Sequence, residues 1–172
     1  MNGDAVGVQA QFWQDMVTLR RDARYVDLSL ARTERIDRGI QAFLAIAASS
    51  SIGGWVIFQQ YAIIWAAIVA ASQALQVVRR FLPYTNRLKA LASLSVDLNA
   101  LSLVAEDQWY RVGKGTGLYD DDIHDLRMAL KKKKLAAVQK AFPVAGMLEN
   151  KRLLKRAEAE TAEYFSTYHD EG

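Results

Sequence analysis

The sequence predicts an all-α membrane protein: a two-helix transmembrane hairpin plus a cytoplasmic helical bundle formed by the N- and C-terminal helices. Three observations carry this prediction. Asp, Glu, Lys and Arg are absent from Gly39 to Val78, a gap of 40 residues. On both sides of the gap, apolar residues recur at steps of three and four, the period of a buried helix face. No stretch alternates convincingly between apolar and polar residues, so no strand is expected.

The gap sets the division of the chain. One membrane-spanning helix needs roughly 20 apolar residues to cross about 30 Å of hydrocarbon, so the uncharged stretch suffices for two crossings. Gln59 and Gln60 interrupt it near its middle and place the turn. Spans are expected over 40–58 and 61–78. Trp55, Phe58, Tyr61 and Trp65 cluster about the turn, and Phe43, Phe81 and Tyr84 lie near the other end. Aromatic rings favour the two membrane interfaces, which fits this distribution. Arg32, Arg35 and Arg38 precede the first span, while Arg79, Arg80, Arg87 and Lys89 follow the second. Basic flanks stay in the cytoplasm, so both termini are expected on the cytoplasmic side with only a short turn outside. The division is then a cytoplasmic arm (1–38), the hairpin (39–78) and a cytoplasmic helical region (79–172). A chain this short cannot enclose two helices that are apolar all round, which argues against a buried soluble hairpin.

The arm carries Phe12, Met16, Leu19, Ala23, Val26 and Leu30 at a 3.5-residue repeat. Such a seam suits either a coiled coil between subunits or an amphipathic helix packed within one chain. A second seam, Leu91, Leu94, Leu98 and Leu101 extended by Ala105, follows Pro83. That helix is expected to end near Gly113, where Gly113, Gly115 and Gly117 mark a loop. The loop lacks the glycine spacing and the preceding strand of a phosphate-binding Walker motif. Asp120, Asp121 and Asp122 suit the start of the next helix, to about Ala141, because acids complement the positive end of the macrodipole. A last helix is expected over 147–168.

Composition narrows the chemistry. The 172 residues amount to one domain's worth, with net charge +3, and no cleaved apolar leader is expected at the start. There is no cysteine, and the two histidines, His124 and His169, suggest no catalytic triad or zinc cluster. No catalytic residue, metal site or cofactor is expected. Charge is nevertheless uneven. Ten Lys or Arg against only Glu149 lie between Arg127 and Arg156, a local charge of +9. Phosphates attract such a surface, whether on a nucleotide, an oligonucleotide or an anionic lipid headgroup, and Lys131, Lys132, Lys133, Lys134, Lys151 and Arg152 are the candidates for holding an anionic nucleotide or oligonucleotide. The alternative is a solvated basic face paired with acids elsewhere. In the second span Ser72, Gln73 and Gln76 share a polar stripe, with Arg79 and Arg80 beyond it. Polar side chains in hydrocarbon face partner helices or a water-filled path, so these five are candidate pore-lining residues.

The order of elements resembles the SLATT-domain proteins, two-span membrane proteins of bacterial conflict systems. The resemblance covers nearly the whole chain. It rests on the hairpin over 40–78, on Trp109 within Glu106-Asp107-Gln108-Trp109-Tyr110, and on Ala162, Phe165 and Tyr168 near the end. The resemblance implies a homo-oligomeric, pore-forming effector of anti-phage defence that depolarises the inner membrane in abortive infection. A tetramer is favoured by analogy with two-span channels. It also implies a separate partner, a nucleotidyltransferase or another sensor, or a nucleotide ligand acting on the cytoplasmic helices. A non-conducting membrane adaptor is the alternative on the same residues.

Overall fold

A computed structural model describes residues 3–49, 62–81, 84–114, 117–143 and 149–167. Five helices account for 94% of these, and none is in a strand, so the chain is all-α. They are α1 (Gly3–Ser49), α2 (Ala62–Phe81), α3 (Tyr84–Gly113), α4 (Asp120–Ala141) and α5 (Lys151–Thr167). The expected turn at Gln59 and Gln60 lies outside the described residues. Arm and first span were expected to divide at residue 38, but α1 continues unbroken to Ser49. Two compact units divide at other points: Met1–Leu30 with Ala90–Gly172, and Ala31–Lys89.

The first unit is a helical bundle with α1 as its hub. Phe12, Met16, Leu19, Ala23 and Val26 are all buried. They pack in one core with Leu91, Leu94, Leu98, Ala105 and Val112 of α3, Ile123, Leu130 and Ala137 of α4, and Phe165 of α5. The 3.5-residue seam of the arm is therefore used within the chain. Cross-helix contacts fix the directions. Phe12 stacks on Trp109, and Asp27 accepts from Ser95 and Asn99, so α3 runs antiparallel to α1. Asp15 meets Arg127 and Asp22 meets Lys134, so α4 runs parallel to it. Trp13 meets Phe165 and Leu28 packs with Ala157, so α5 is antiparallel again.

The helix ends follow local chemistry. Gly117 has φ +71°, a left-handed conformation that glycine adopts freely, in the loop between α3 and α4. The carboxylate of Asp122 accepts the backbone N–H of Tyr119 at 2.9 Å and so closes the first turn of α4. The last helix begins at Lys151 rather than at 147. Asn150 is the reason: its side-chain oxygen accepts the N–H groups of Arg152 (3.1 Å) and Leu153 (3.3 Å), a helix N-cap. Asn150 is itself held, its N–H donating to the buried Tyr25 hydroxyl at 2.7 Å.

The second unit is described for part of its length. Arg38 pairs with Glu34 at 3.3 Å, and Gln41 donates to Asp37 at 2.6 Å, both one turn apart on α1. Large apolar side chains are exposed here, among them Ile46 (67%), Ile63 (86%), Ile64 (57%) and Val77 (56%). Among the described residues, one helix is long and apolar enough to cross a membrane by length and composition, and it is Asn86–Gly113. In α2 the apolar stretch is shorter, Ala66–Leu75. The sequence reading placed the Asn86–Gly113 helix in the cytoplasm. It passes the same test as a span because apolar residues occupy its outer as well as its inner side.

Leu98 is 1% exposed, and truncating a buried leucine removes its contacts and leaves a cavity. Leu98→Ala should therefore lower stability by about 2–5 kcal/mol. Leu135→Ala, on an exposed position of α4, should change it by no more than about 0.5 kcal/mol. Denaturant melts followed by helical circular dichroism check both, and equal effects would contradict the assigned core.

Candidate functional site

The polar stripe of α2 is described in part. Ser72 is buried, and its hydroxyl donates to the Val69 carbonyl at 2.8 Å, one turn back on the same helix. Gln73, the next residue, is exposed. The side chains of Gln76, Arg79 and Arg80 lie outside the described ones. The two described members of the stripe thus occupy different environments, and Ser72 meets its hydrogen-bonding need without a partner helix.

The basic block divides into two sets. Arg127 and Lys131 share the Asp15 carboxylate of α1, at 2.9 and 3.1 Å. Arg127 also donates to Gln11. Lys134 pairs with Asp22, Lys140 with Asp97 (3.4 Å) and Arg156 with Glu160 (2.7 Å). Five of the ten bases are thus matched by four acids from outside the block, so the local +9 falls to +5. Lys132 and Lys133 on α4, and Lys151 and Arg152 on the first turn of α5, are exposed. None of these four makes an ion pair among the described residues. Cations at a helix start oppose the macrodipole, so Lys151 and Arg152 do not serve to stabilise α5. Of the six candidate ligand residues, Lys131 and Lys134 therefore have structural work, and the other four face solvent.

Two features escaped the sequence reading. The first is an aromatic cluster where α1, α3 and α5 meet. Trp109 lies 6.0 Å from Phe12 and 5.2 Å from Trp13, and Trp13 lies 5.1 Å from Phe165, centroid to centroid. Two residues far apart in sequence, Trp109 and Phe165, are joined through Trp13. A pocket of about 520 Å³ opens beside them, with Glu106 and Lys114 among its lining. Glu106 also accepts the Tyr164 hydroxyl at 3.1 Å. Long-range aromatic pairing leaves no periodic trace in sequence, so nothing there joins Phe12, Trp13, Trp109 and Phe165.

The second is a polar cleft of about 430 Å³ formed by Arg20, Arg24, Asp27, Asn99, Glu160 and Thr161 with their neighbours. Arg20 covers the Tyr164 ring at 4.3 Å, and Arg24 pairs with Glu160. The Thr161 hydroxyl oxygen is buried without a hydrogen-bond partner. The Arg156 and Arg24 guanidiniums hydrogen-bond Glu160 and hold its carboxyl below its ordinary pKa. Glu106 and Lys114 give the first cavity one charge of each sign, and Arg20, Arg24, Asp27 and Glu160 line the second.

No family model, curated protein or solved structure matches this chain.

The Glu160 shift fixes the sign of a pH effect. A carboxylate with a depressed folded-state pKa contributes stability that is complete above the unfolded value. That contribution is lost as pH falls through the folded value. Glu160→Gln should therefore lower the melting temperature at neutral pH and flatten the loss on acidification, as pH-dependent melts would show. The two sets of bases separate similarly. Lys134→Gln should cost about 0.2–1 kcal/mol, the range for a partly exposed pair. Lys132→Gln should cost nothing measurable, and equal costs in denaturant melts would contradict the division.

Proposed function

We propose that this chain is a membrane-embedded, homo-oligomeric effector whose bilayer part conducts ions and depolarises the bacterial inner membrane. One observation supports this most: among its described residues the uncharged segment leaves several large apolar side chains exposed, Ile63 by 86% and Ile46 by 67%. Burying apolar surface is worth about 25 cal/mol per Å², so such a face calls for lipid or protein around it. Two spans enclose no path alone, so conduction requires several subunits, and a tetramer is the favoured number. Gln73, Gln76, Arg79 and Arg80 are the lining proposed for that path. Ser72 belongs nearer to a helix contact, since its hydroxyl is already satisfied.

The resemblance to SLATT-domain proteins supports a role in anti-phage defence by abortive infection. In this reading the bundle around α1 holds the gate in the cytoplasm. A nucleotide, an oligonucleotide or a sensor partner such as a nucleotidyltransferase shifts it. Lys132, Lys133, Lys151 and Arg152 are the groups available to a phosphate ligand. Binding acts on the gate only if it favours one gating state over the other. No chemical step is assigned to the protein.

The second reading is a membrane anchor that recruits a partner and never conducts. The hydrogen bond from Ser72 to its own helix favours it, because a serine satisfied within one helix requires no water-filled path. The two readings separate on expression in bacteria with a voltage-sensitive dye. Depolarisation that Gln76→Leu abolishes at matched membrane levels is the expected result. Depolarisation unaffected by Gln76→Leu removes that residue from the lining. If the membrane stays polarised even with the natural partner and its signal present, the anchor reading stands.

A further inference from the structure

Glu106 on α3 has no counter-charge. Its carboxylate accepts the Tyr164 hydroxyl at 3.1 Å and the Ser102 hydroxyl at 3.4 Å, and both partners are neutral. Among the described residues it forms no ion pair. The adjacent acid, Asp107, is matched by Arg111 at 2.9 Å, so the unmatched charge on this stretch is that of Glu106. The carboxylate lines the pocket of about 520 Å³ at the end of α3, together with Trp13, Met16, Trp109 and Phe165. Hydroxyl donors satisfy the lone pairs of a carboxylate but leave its charge in place. Among apolar side chains that charge is screened less than in water.

We propose that this pocket binds an organic cation, a protonated amine carried on an apolar, ring-sized body. Its ammonium meets Glu106, and its body lies against the indoles and Phe165. Pockets of roughly 300–1,000 Å³ take small molecules of this kind. The rings add to the attraction, because the face of an aromatic ring draws a cation through its quadrupole. The protein already uses that force here: the Lys114 ammonium sits over the Tyr110 ring at 4.3 Å, and both residues belong to the lining. Lys114 and Tyr110 are exposed, whereas Trp13, Trp109 and Glu106 are half-buried. The tethered cation thus holds the outer ring and leaves the inner rings and the carboxylate to a ligand.

Other ligand classes fit the lining less well. A divalent metal ion takes several oxygen ligands, and no group of three or more acids and histidines gathers among the described residues. An anion meets Glu106 and the C-terminal end of α3, whose last carbonyls carry partial negative charge. Its one attraction is Lys114, which is engaged with Tyr110. An uncharged apolar molecule leaves Glu106 unmatched. The exposed cations Lys132, Lys133, Lys151 and Arg152 take no part in this lining, so the ligand is distinct from a phosphate held by them. It touches α1, α3 and α5 together and so ties three helices at one end of the bundle.

Tryptophan fluorescence reports the site directly. Trp13 and Trp109 line it, and the other two tryptophans, Trp55 and Trp65, are changed to Phe. The full-length protein in neutral detergent is titrated with phenethylammonium, phenethyl alcohol and hydrocinnamate, which are similar in size and are cationic, neutral and anionic. The expected result is a saturable change with phenethylammonium, about tenfold tighter than with either other probe. Glu106→Gln keeps an acceptor for Ser102 and Tyr164 and should erase that preference. Lys114→Gln should act in the opposite direction and tighten the cation about threefold, since it removes a like charge and frees the Tyr110 face. No saturation by about 10 mM, equal affinity for the three probes, or a preference for hydrocinnamate overturns the proposal. So does a charge preference that survives in folded Glu106→Gln, which is the result for a merely structural carboxylate. If Glu106→Gln does not fold, the exposed Lys114→Gln decides, and unchanged or weaker cation binding there overturns the proposal. The titration needs no conducting membrane, so its outcome is separate from that of the proposed activity.

Discussion

The bundle depends on one strip of side chains, Phe12 to Val26 on α1. Every other helix of that unit packs on this strip, and its flanks carry the acids that set their registers. Asp15 and Asp22 align α4, Asp27 aligns α3, and on the far side Arg24 meets Glu160 of α5. The apolar strip supplies the driving force, which is roughly proportional to buried area and indifferent to register. The half-buried polar contacts add direction. Asp27, for instance, faces two donors on α3 and loses both if that helix slides by one turn.

This division explains what the sequence made legible. Both inner seams were readable, since a 3.5-residue period is a local property of the chain. The starts of α4 and the loop before it were readable for the same reason, from three acids and three glycines. The pairing of Lys131 and Lys134 was not. In sequence they belong to an unbroken run of four lysines, and only the helix turn sends positions 127, 131 and 134 towards the acids of α1 while 132 and 133 point elsewhere. The start of α5 was misplaced because Asn150 acts as a cap only once its own backbone is held, and its holder, Tyr25, lies 125 residues away.

The candidate sites divide along the same line. A charge count over a segment reports the field at a distance and takes no account of acids that folding brings alongside. Four of the ten bases in the block bridge helices and a fifth pairs within α5, which leaves a smaller and more specific set of cations. For the polar stripe on α2, the spacing was legible and the environment was not. A serine can satisfy itself on the preceding turn, and a glutamine one residue on cannot count on the same carbonyl.

The two-faced character of α3 bears on how the chain is made. Its residues emerge from synthesis after α1 and before α4 and α5, with an apolar content that reads as a membrane crossing when it stands alone. At that moment α1 is the only element of the bundle able to cover it. Early docking of α3 onto α1, through Leu94, Leu98 and the bonds to Asp27, covers the inner side of this helix before the rest of the bundle exists. Which side of α3 stays bare is thereby decided by a contact between the first helix and residues 68 positions further along the chain.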